Sequence, residues 1–179
     1  MRIQAETMRL YAVTDRSWLG PSEGLREPVE ELLKAGITLV QLREKNADDD
    51  FFLREAVELK ELCSRYNVPL IINDRPDIAK RAGADGVHVG LSDMGIEKAR
   101  EMLGDGFIIG GSAHNVAEAQ AACRAGADYL GCGAVFGSST KKDVTVLSAD
   151  VLKAICESVS VPVVAIGGIR TDNLYRRAG

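Results

Sequence analysis

The chain has 179 residues, 46% hydrophobic and 27% charged, a composition that fits one soluble globular domain with a substantial core and excludes a disordered segment. Its apolar runs, such as 134–136 and 161–166, fall far short of the roughly 20 residues of a membrane span, and no signal-peptide pattern opens it, so a cytoplasmic location is expected. The formal net charge of −4 argues against a nucleic-acid surface; an anionic ligand would need a local cluster of cations, a metal or backbone amides to hold it.

Short apolar runs alternate with amphipathic stretches throughout, the pattern of repeated βα units around a parallel sheet. Seven strands are predicted, over 10–13, 37–42, 69–72, 86–89, 107–110, 129–133 and 161–166. Several are near-continuous in Val, Ile and Leu, as strands covered on both faces should be. Between them, Phe52, Ala56, Leu59 and Cys63 recur at helical spacing, as do Val116, Ala119 and Cys123. Asn115 and Glu118 form a predicted N-cap and capping box. An Ala-Gly pair ends four helical patterns, at 35–36, 82–83, 125–126 and 178–179, where glycine can take the left-handed C-cap conformation. The first three pairs are each followed at once by a strand, and the fourth closes the sequence.

This punctuation predicts a single (β/α)8 TIM barrel domain over residues 1–179, lacking its C-terminal βα unit. The expectation is either a further C-terminal segment or a truncation before the eighth strand. An open doubly wound sheet is the rival, since it could use seven strands without a gap. The four cysteines, Cys63, Cys123, Cys132 and Cys156, form no CxxC pair and are expected to have neither metal nor disulfide roles.

Both parallel architectures place ligands at strand C-terminal ends. After the second strand comes Gln41-Leu42-Arg43-Glu44-Lys45, where alternation points Gln41, Arg43 and Lys45 one way and suits phosphate; a solvated strand end is the alternative. After the third and fourth come Asn73-Asp74-Arg75 and Ser92-Asp93. Asp74 and Asp93 could share a Mg²⁺ ion, or each could cap the helix that follows. The fifth strand leads to Gly110-Gly111-Ser112-Ala113-His114, suited to an anion or polar ring, or else a plain glycine turn. His88 reads as a satisfied interior residue, whereas His114 stays open. The sixth strand runs into 136–143, where Ser138, Ser139, Thr140, Lys141 and Lys142 offer donors for a diphosphate; a surface loop is the alternative. The seventh ends at Gly167-Gly168, whose amides can approach a ligand closely.

Six segments in this order resemble the thiamine-phosphate synthase family: QLREK (41–45), NDRPDIA (73–79), GADGVHVG (83–90) with Asp93, GGSAH (110–114) with Glu118, VFGSSTKKD (135–143) and VVAIGGI (163–169). The likeness runs from about residue 10 to the end. It implies a barrel that couples 4-amino-5-hydroxymethyl-2-methylpyrimidine diphosphate to a thiazole phosphate with Mg²⁺, releasing pyrophosphate. By motif position it implies that Arg43, Lys45, Asn73, Ser138, Thr140 and Lys141 hold the diphosphate or pyrimidine, beside Gln41, with Asp74 and Asp93 on the metal. The same resemblance implies that Ser112 sits by the pyrimidine amine, that Gly168 offers its amide to the thiazole phosphate, and that Lys141 and Ser112 are the catalytic candidates. Leu91-Ser92 replaces the family's usual Gln-Glu pair, and Gly137 stands where proline is common. The partners implied are the two small substrates, with dimerisation common among such barrels. A thiazole tautomerase-like isomerase of the same fold, favoured by His114, and a non-catalytic partial-barrel assembly module are the alternatives.

Overall fold

In the computed structural model the described residues are 3–20, 23–90, 95–136 and 146–174. Seven parallel strands, β1 (Tyr11–Val13), β2 (Leu39–Leu42), β3 (Leu70–Asn73), β4 (Gly86–Val89), β5 (Ile108–Ala113), β6 (Tyr129–Gly133) and β7 (Val163–Ile166), pair in strictly sequential order. Six helices fill the connections: α1 (Arg26–Lys34), α2 (Asp49–Arg65), α3 (Pro76–Ala82), α4 (Ile96–Leu103), α5 (Val116–Arg124) and α6 (Ala149–Ser158). Sequential order without a reversal is singly wound, so the doubly wound alternative, which needs a switch point in strand order, is excluded. The fold is a TIM-barrel-like sheet of seven strands.

Register keeps the inward phase aligned from strand to strand, for example Gln41 beside Ile71, Asn73 beside His88, and Ser112 beside Gly131. The two faces therefore separate two cores. Outward residues Val40, Leu42, Leu70, Ile72, Val87 and Val89 pack under the helices with Phe52, Ala56, Leu59 and Cys63, the predicted stripe of α2. Inward residues Leu39, Ile71, Ile108 and Tyr129 form a separate cluster with Ile3 and Met8 at the N-terminal end of the sheet. The outermost strands are less covered: Ile166 on β7 is 46% exposed.

The Ala-Gly signal marks a repeated device at that N-terminal end. Gly83 and Gly126 take φ values of 64° and 95°, the left-handed region open to glycine, and each is followed two residues later by an aspartate. Asp85 accepts the Leu70 amide at 2.8 Å and the Lys60 ammonium at 2.7 Å; Asp128 accepts the Ile109 amide at 2.8 Å and Arg100 at 2.7 Å. Each carboxylate thus ties one βα unit to the start of the preceding strand and to a helix. The Ala178-Gly179 pair lies outside the described residues.

Asn115 caps α5 as predicted, accepting the Glu118 amide at 2.9 Å. Glu118, however, reaches back to the His114 amide at 2.7 Å, one residue before the cap. All four cysteines are free thiols, and burial pushes Cys63 up to about 11 and Cys132 up to about 12. Among the described residues no helix is long and apolar enough to cross a membrane.

Two measurements check this account. Asp128→Ala removes the acceptor of the Ile109 amide and the partner of Arg100, and is expected to cost about 1–3 kcal/mol in urea unfolding. Thiol titration of the native protein should modify the exposed Cys156 readily, while Cys63 and Cys132 react only on unfolding.

Candidate active site

At the C-terminal ends of the strands the backbone pairing continues past the sheet, which fixes the loops that carry the polar residues. The Thr14 amide donates to the Gln41 carbonyl, and the Arg43 amide donates to Thr14 Oγ1 at 3.0 Å. The Asp74 amide donates to the His88 carbonyl at 2.8 Å, and the Phe136 amide donates to Gly167.

The predicted alternation after β2 holds only in part. Gln41 is buried in the barrel interior and Glu44 points away from it, but the strand ends at Leu42, and Lys45 is exposed. Arg43 and Lys45 instead line an open cleft of about 570 Å³ together with Asp15, Arg16, Asp48 and Phe51. Arg16, in the loop after β1, donates to Glu44 at 2.8 Å and to Glu55 on α2, and its guanidinium lies 5.0 Å from the centre of the Phe51 ring. Burial pushes the Glu55 carboxyl above its usual range against the pull of Arg16, and Glu44 pushes the same way. One cation is thus committed to two acids. Among the described residues neither Arg43 nor Lys45 forms an ion pair, which leaves their charge for an anion.

At the tip of β3, Asn73 Nδ2 donates to Asp74 Oδ2 at 2.6 Å. Asp74 adopts φ 61°, an uncommon conformation for a residue other than glycine. It does not cap α3, whose N-cap is Arg75 with no side-chain cap bond, so the capping alternative for Asp74 is not realised. Arg75 is held by Asp77 at 2.6 Å and by Asp49 at 2.6 Å, turned toward the helices. Asp93 lies outside the described residues, as do Ser138, Thr140 and Lys141.

Ser112 lies on the inward face of β5, which runs on to Ala113 instead of turning at Gly110. His114 is exposed, and its Nδ1 stands 3.2 Å from Glu118. Burial opposes the ionisation of Glu118, but the His114 amide, the imidazole and Asn115 together hold its carboxyl below the usual range. At β7, Gly167 and Gly168 have φ values of 96° and 66°, and the Gly168 carbonyl accepts Asn173 Nδ2 at 2.9 Å.

Sequence reasoning missed the polar chain that crosses the interior. Gln41 Nε2 donates to the Tyr11 hydroxyl at 2.5 Å, Tyr11 and Tyr129 share a hydroxyl contact of 2.7 Å, and Tyr129 meets His88 Nδ1 at 3.0 Å. His88 Nε2 then meets Ser112 Oγ at 3.1 Å. Burial pushes both phenols far above their ordinary range, so they stay neutral. Applying strand alternation to β1 and β6 would have found them, since Tyr11 and Tyr129 share the inward phase. His88 is interior, as expected.

The set can hold an anion at Arg43 and Lys45, offer oxygen ligands at Asp74, and contact a polar ring at Ser112. Three comparisons bear on what it does. A family model described as thiamine monophosphate synthase matches residues 10–178. The thiamine-phosphate synthase of Clostridium acetobutylicum is 52% identical over 165 residues, 92% of this chain and 78% of that protein. That of Fusobacterium nucleatum is 48% identical over 167 residues, 93% of this chain and 81% of that protein. A solved thiamine phosphate pyrophosphorylase from Pyrococcus furiosus superposes with a TM-score of 0.88 at 38% identity, covering 97% of this chain and 82% of that one.

The Arg16 arrangement yields a prediction with a sign. Because the folded-state pKa of Glu55 is raised, stability contributed by this group is lost as pH rises from the ordinary carboxylate value through Glu55's own. Glu55→Gln removes that loss, so its stability relative to the parent should rise in urea unfolding as pH climbs above the ordinary carboxylate range, until Glu55 of the folded parent has ionised. Arg16→Ala, which strands both acids, should lose about 1–3 kcal/mol at neutral pH.

Proposed function

The chain belongs to the thiamine monophosphate synthase family, and on that premise we propose how its residues share the work of the family's reaction. It is a transferase of thiamine biosynthesis that forms thiamine phosphate. The pyrimidine diphosphate and the thiazole phosphate are the substrates, and pyrophosphate is the second product.

The observation that supports the division of labour is that Gln41, Asn73 and Ser112 share the inward face of the sheet, while Arg43 and Asp74 follow at the C-terminal ends of β2 and β3. Arg43 and Lys45 bind the diphosphate, compensating locally for a chain whose net charge is −4. Asn73 orients Asp74, through the 2.6 Å bond between their side chains, toward the same end. A carboxylate of this kind, with the substrate's phosphate oxygens and water, fits the hard oxygen set that Mg²⁺ prefers; Asp74 and Asp93 would hold the ion, and it would supply charge stabilisation to the leaving pyrophosphate. Ser138, Thr140 and Lys141 complete the donors to the diphosphate in this reading, and Gly168 offers its amide to the thiazole phosphate.

The bond from pyrimidine methylene to diphosphate oxygen breaks while the aminopyrimidine spreads the developing positive charge, and the thiazole nitrogen then takes the methylene. Such a step depends on charge complementarity more than on a strong base. The site matches that need: the described inward residues supply donors and an amide, and the carboxylates around Arg16 are turned away from them. The cytoplasmic location and a homodimeric state belong to the same proposal.

Incubation with both substrates and Mg²⁺, with release of pyrophosphate followed, tests the proposal. Arg43→Ala and Asp74→Ala should each lower turnover by roughly 10²–10³-fold with the fold retained. Asp93→Ala and Lys141→Ala should behave alike. Parental turnover with unaltered Mg²⁺ dependence in all four variants would remove these assignments.

A further inference from the structure

The interior polar chain has a direction, and the direction reaches the site. Gln41 Nε2 is a donor only, so the Tyr11 oxygen accepts there, and the other described partner of Tyr11 is Tyr129. The single Tyr11 hydrogen must then be given to the Tyr129 oxygen. Tyr129 in turn has its own hydrogen to place, and the acceptor within reach is His88 Nδ1 at 3.0 Å. A neutral imidazole that accepts at Nδ1 carries its hydrogen on Nε2, which donates to Ser112 Oγ at 3.1 Å. The Ser112 hydroxyl hydrogen is thereby left for a ligand.

The barrel is cut to seat these rings. A Cβ on Gly110 would lie 2.2 Å from Tyr129 Cζ, and one on Gly131 would lie 3.0 Å from His88 Cε1. Both glycines share the inward phase of β5 and β6. Tyr129 is also packed edge-on against Tyr11, with ring centres 6.0 Å apart, and tilted against His88 at 5.5 Å. Tyr129 is fully buried, and among the described residues its hydroxyl meets only Tyr11 and His88 while that of Tyr11 meets only Gln41 and Tyr129.

We propose that His88 is a positioning residue for the coupling reaction. Held in its Nε2–H tautomer by the chain from Gln41 through Tyr11 and Tyr129, it turns Ser112 into a hydrogen-bond donor toward an acceptor atom of the bound pyrimidine, either ring nitrogen or phosphate oxygen. The second lone pair of the serine oxygen remains for the neighbouring amino group, so a hydroxyl polarised in this way matches an edge that offers an acceptor beside a donor. The proposal rests on Ser112 contacting the pyrimidine substrate, as read above, and goes beyond it by assigning how the serine is oriented and by what.

The chain contains two histidines, His88 and His114, which makes the tautomer directly measurable. In protein labelled with ¹⁵N-histidine, His88 should show an unprotonated Nδ1 and a protonated Nε2, and Tyr129→Phe should abolish that preference while keeping the ring that fills the space beside Gly110. A parent His88 protonated at Nδ1, or a Tyr129→Phe spectrum identical to the parent, overturns the relay whatever the kinetics show. In turnover, His88→Asn, which loses the group facing Ser112, should fall about tenfold; His88→Gln, whose amide reaches the Nε2 position, should recover most of it. Ser112→Ala combined with His88→Asn should be no slower than Ser112→Ala alone, because both changes remove one interaction. Additive losses, or a normal rate for His88→Asn beside a slow Ser112→Ala, overturn the positioning role. A normal rate for Ser112→Ala alone instead removes the substrate contact itself, and the nitrogen spectrum still decides the direction of the chain.

Discussion

Side-chain alternation in a register-locked parallel sheet is the constraint on which everything else in this molecule depends. Each strand offers every second residue to a common interior, and sequential pairing aligns those positions around it. A one-residue slip in β4 would turn His88 out under the helices and bring Val87 and Val89 inward, breaking the polar chain and exposing a gap in the outer core at once. The same arithmetic that buries Leu42 beneath α2 therefore places Gln41 against Tyr11.

The two ends of the sheet carry different duties. At the N-terminal end, Ile3 and Met8 pack on the inward cluster, and Asp85 and Asp128 tie the units together through backbone amides and helix cations. At the C-terminal end lie the residues assigned to substrate. The polar chain joins the two, because Tyr11 and Tyr129 are the first residues of their strands while Ser112 is near the end of β5. A barrel interior filled only with aliphatic side chains would pack as densely but could not set the direction in which the serine hydroxyl donates.

Much of this architecture is legible in the sequence. β4 and β6 have the bounds the sequence predicts, since Gly86 and Tyr129 each come three residues after the glycine of an Ala-Gly pair, and the cap at Asn115 and the first three Ala-Gly pairs fall where local chemistry puts them. The sequence predicts that β5 ends at Gly110, because Gly110-Gly111 looks like a turn, whereas the strand runs to Ala113. The glycines belong to the strand, where Gly110 makes room for the Tyr129 ring and Gly111 for Ile96 of α4. Asp74 can be read as a cap or a ligand from sequence alone; the N-cap position of α3 falls on Arg75, one residue later, which local sequence does not reveal. The tyrosines went unnoticed because a hydropathy pattern scores them as strand residues and is blind to where a phenol ends. Tertiary pairing such as Arg16 with Glu44 and Glu55, residues 28 and 39 positions apart, leaves no local trace.

The commitment of Arg16 and Arg75 to carboxylates shapes how an anion is received. Of the cations near the strand tips described above, these two are neutralised by Glu44, Glu55, Asp77 and Asp49, whereas Arg43 and Lys45 are not. Beyond a Debye length, about 8 Å at physiological ionic strength, an approaching diphosphate meets a molecule of net negative charge. Capture is thus a short-range event, with little long-distance guidance to be screened away. Association should be comparatively indifferent to salt, and discrimination among polyanions falls to the shape of the cleft instead of to the reach of its field.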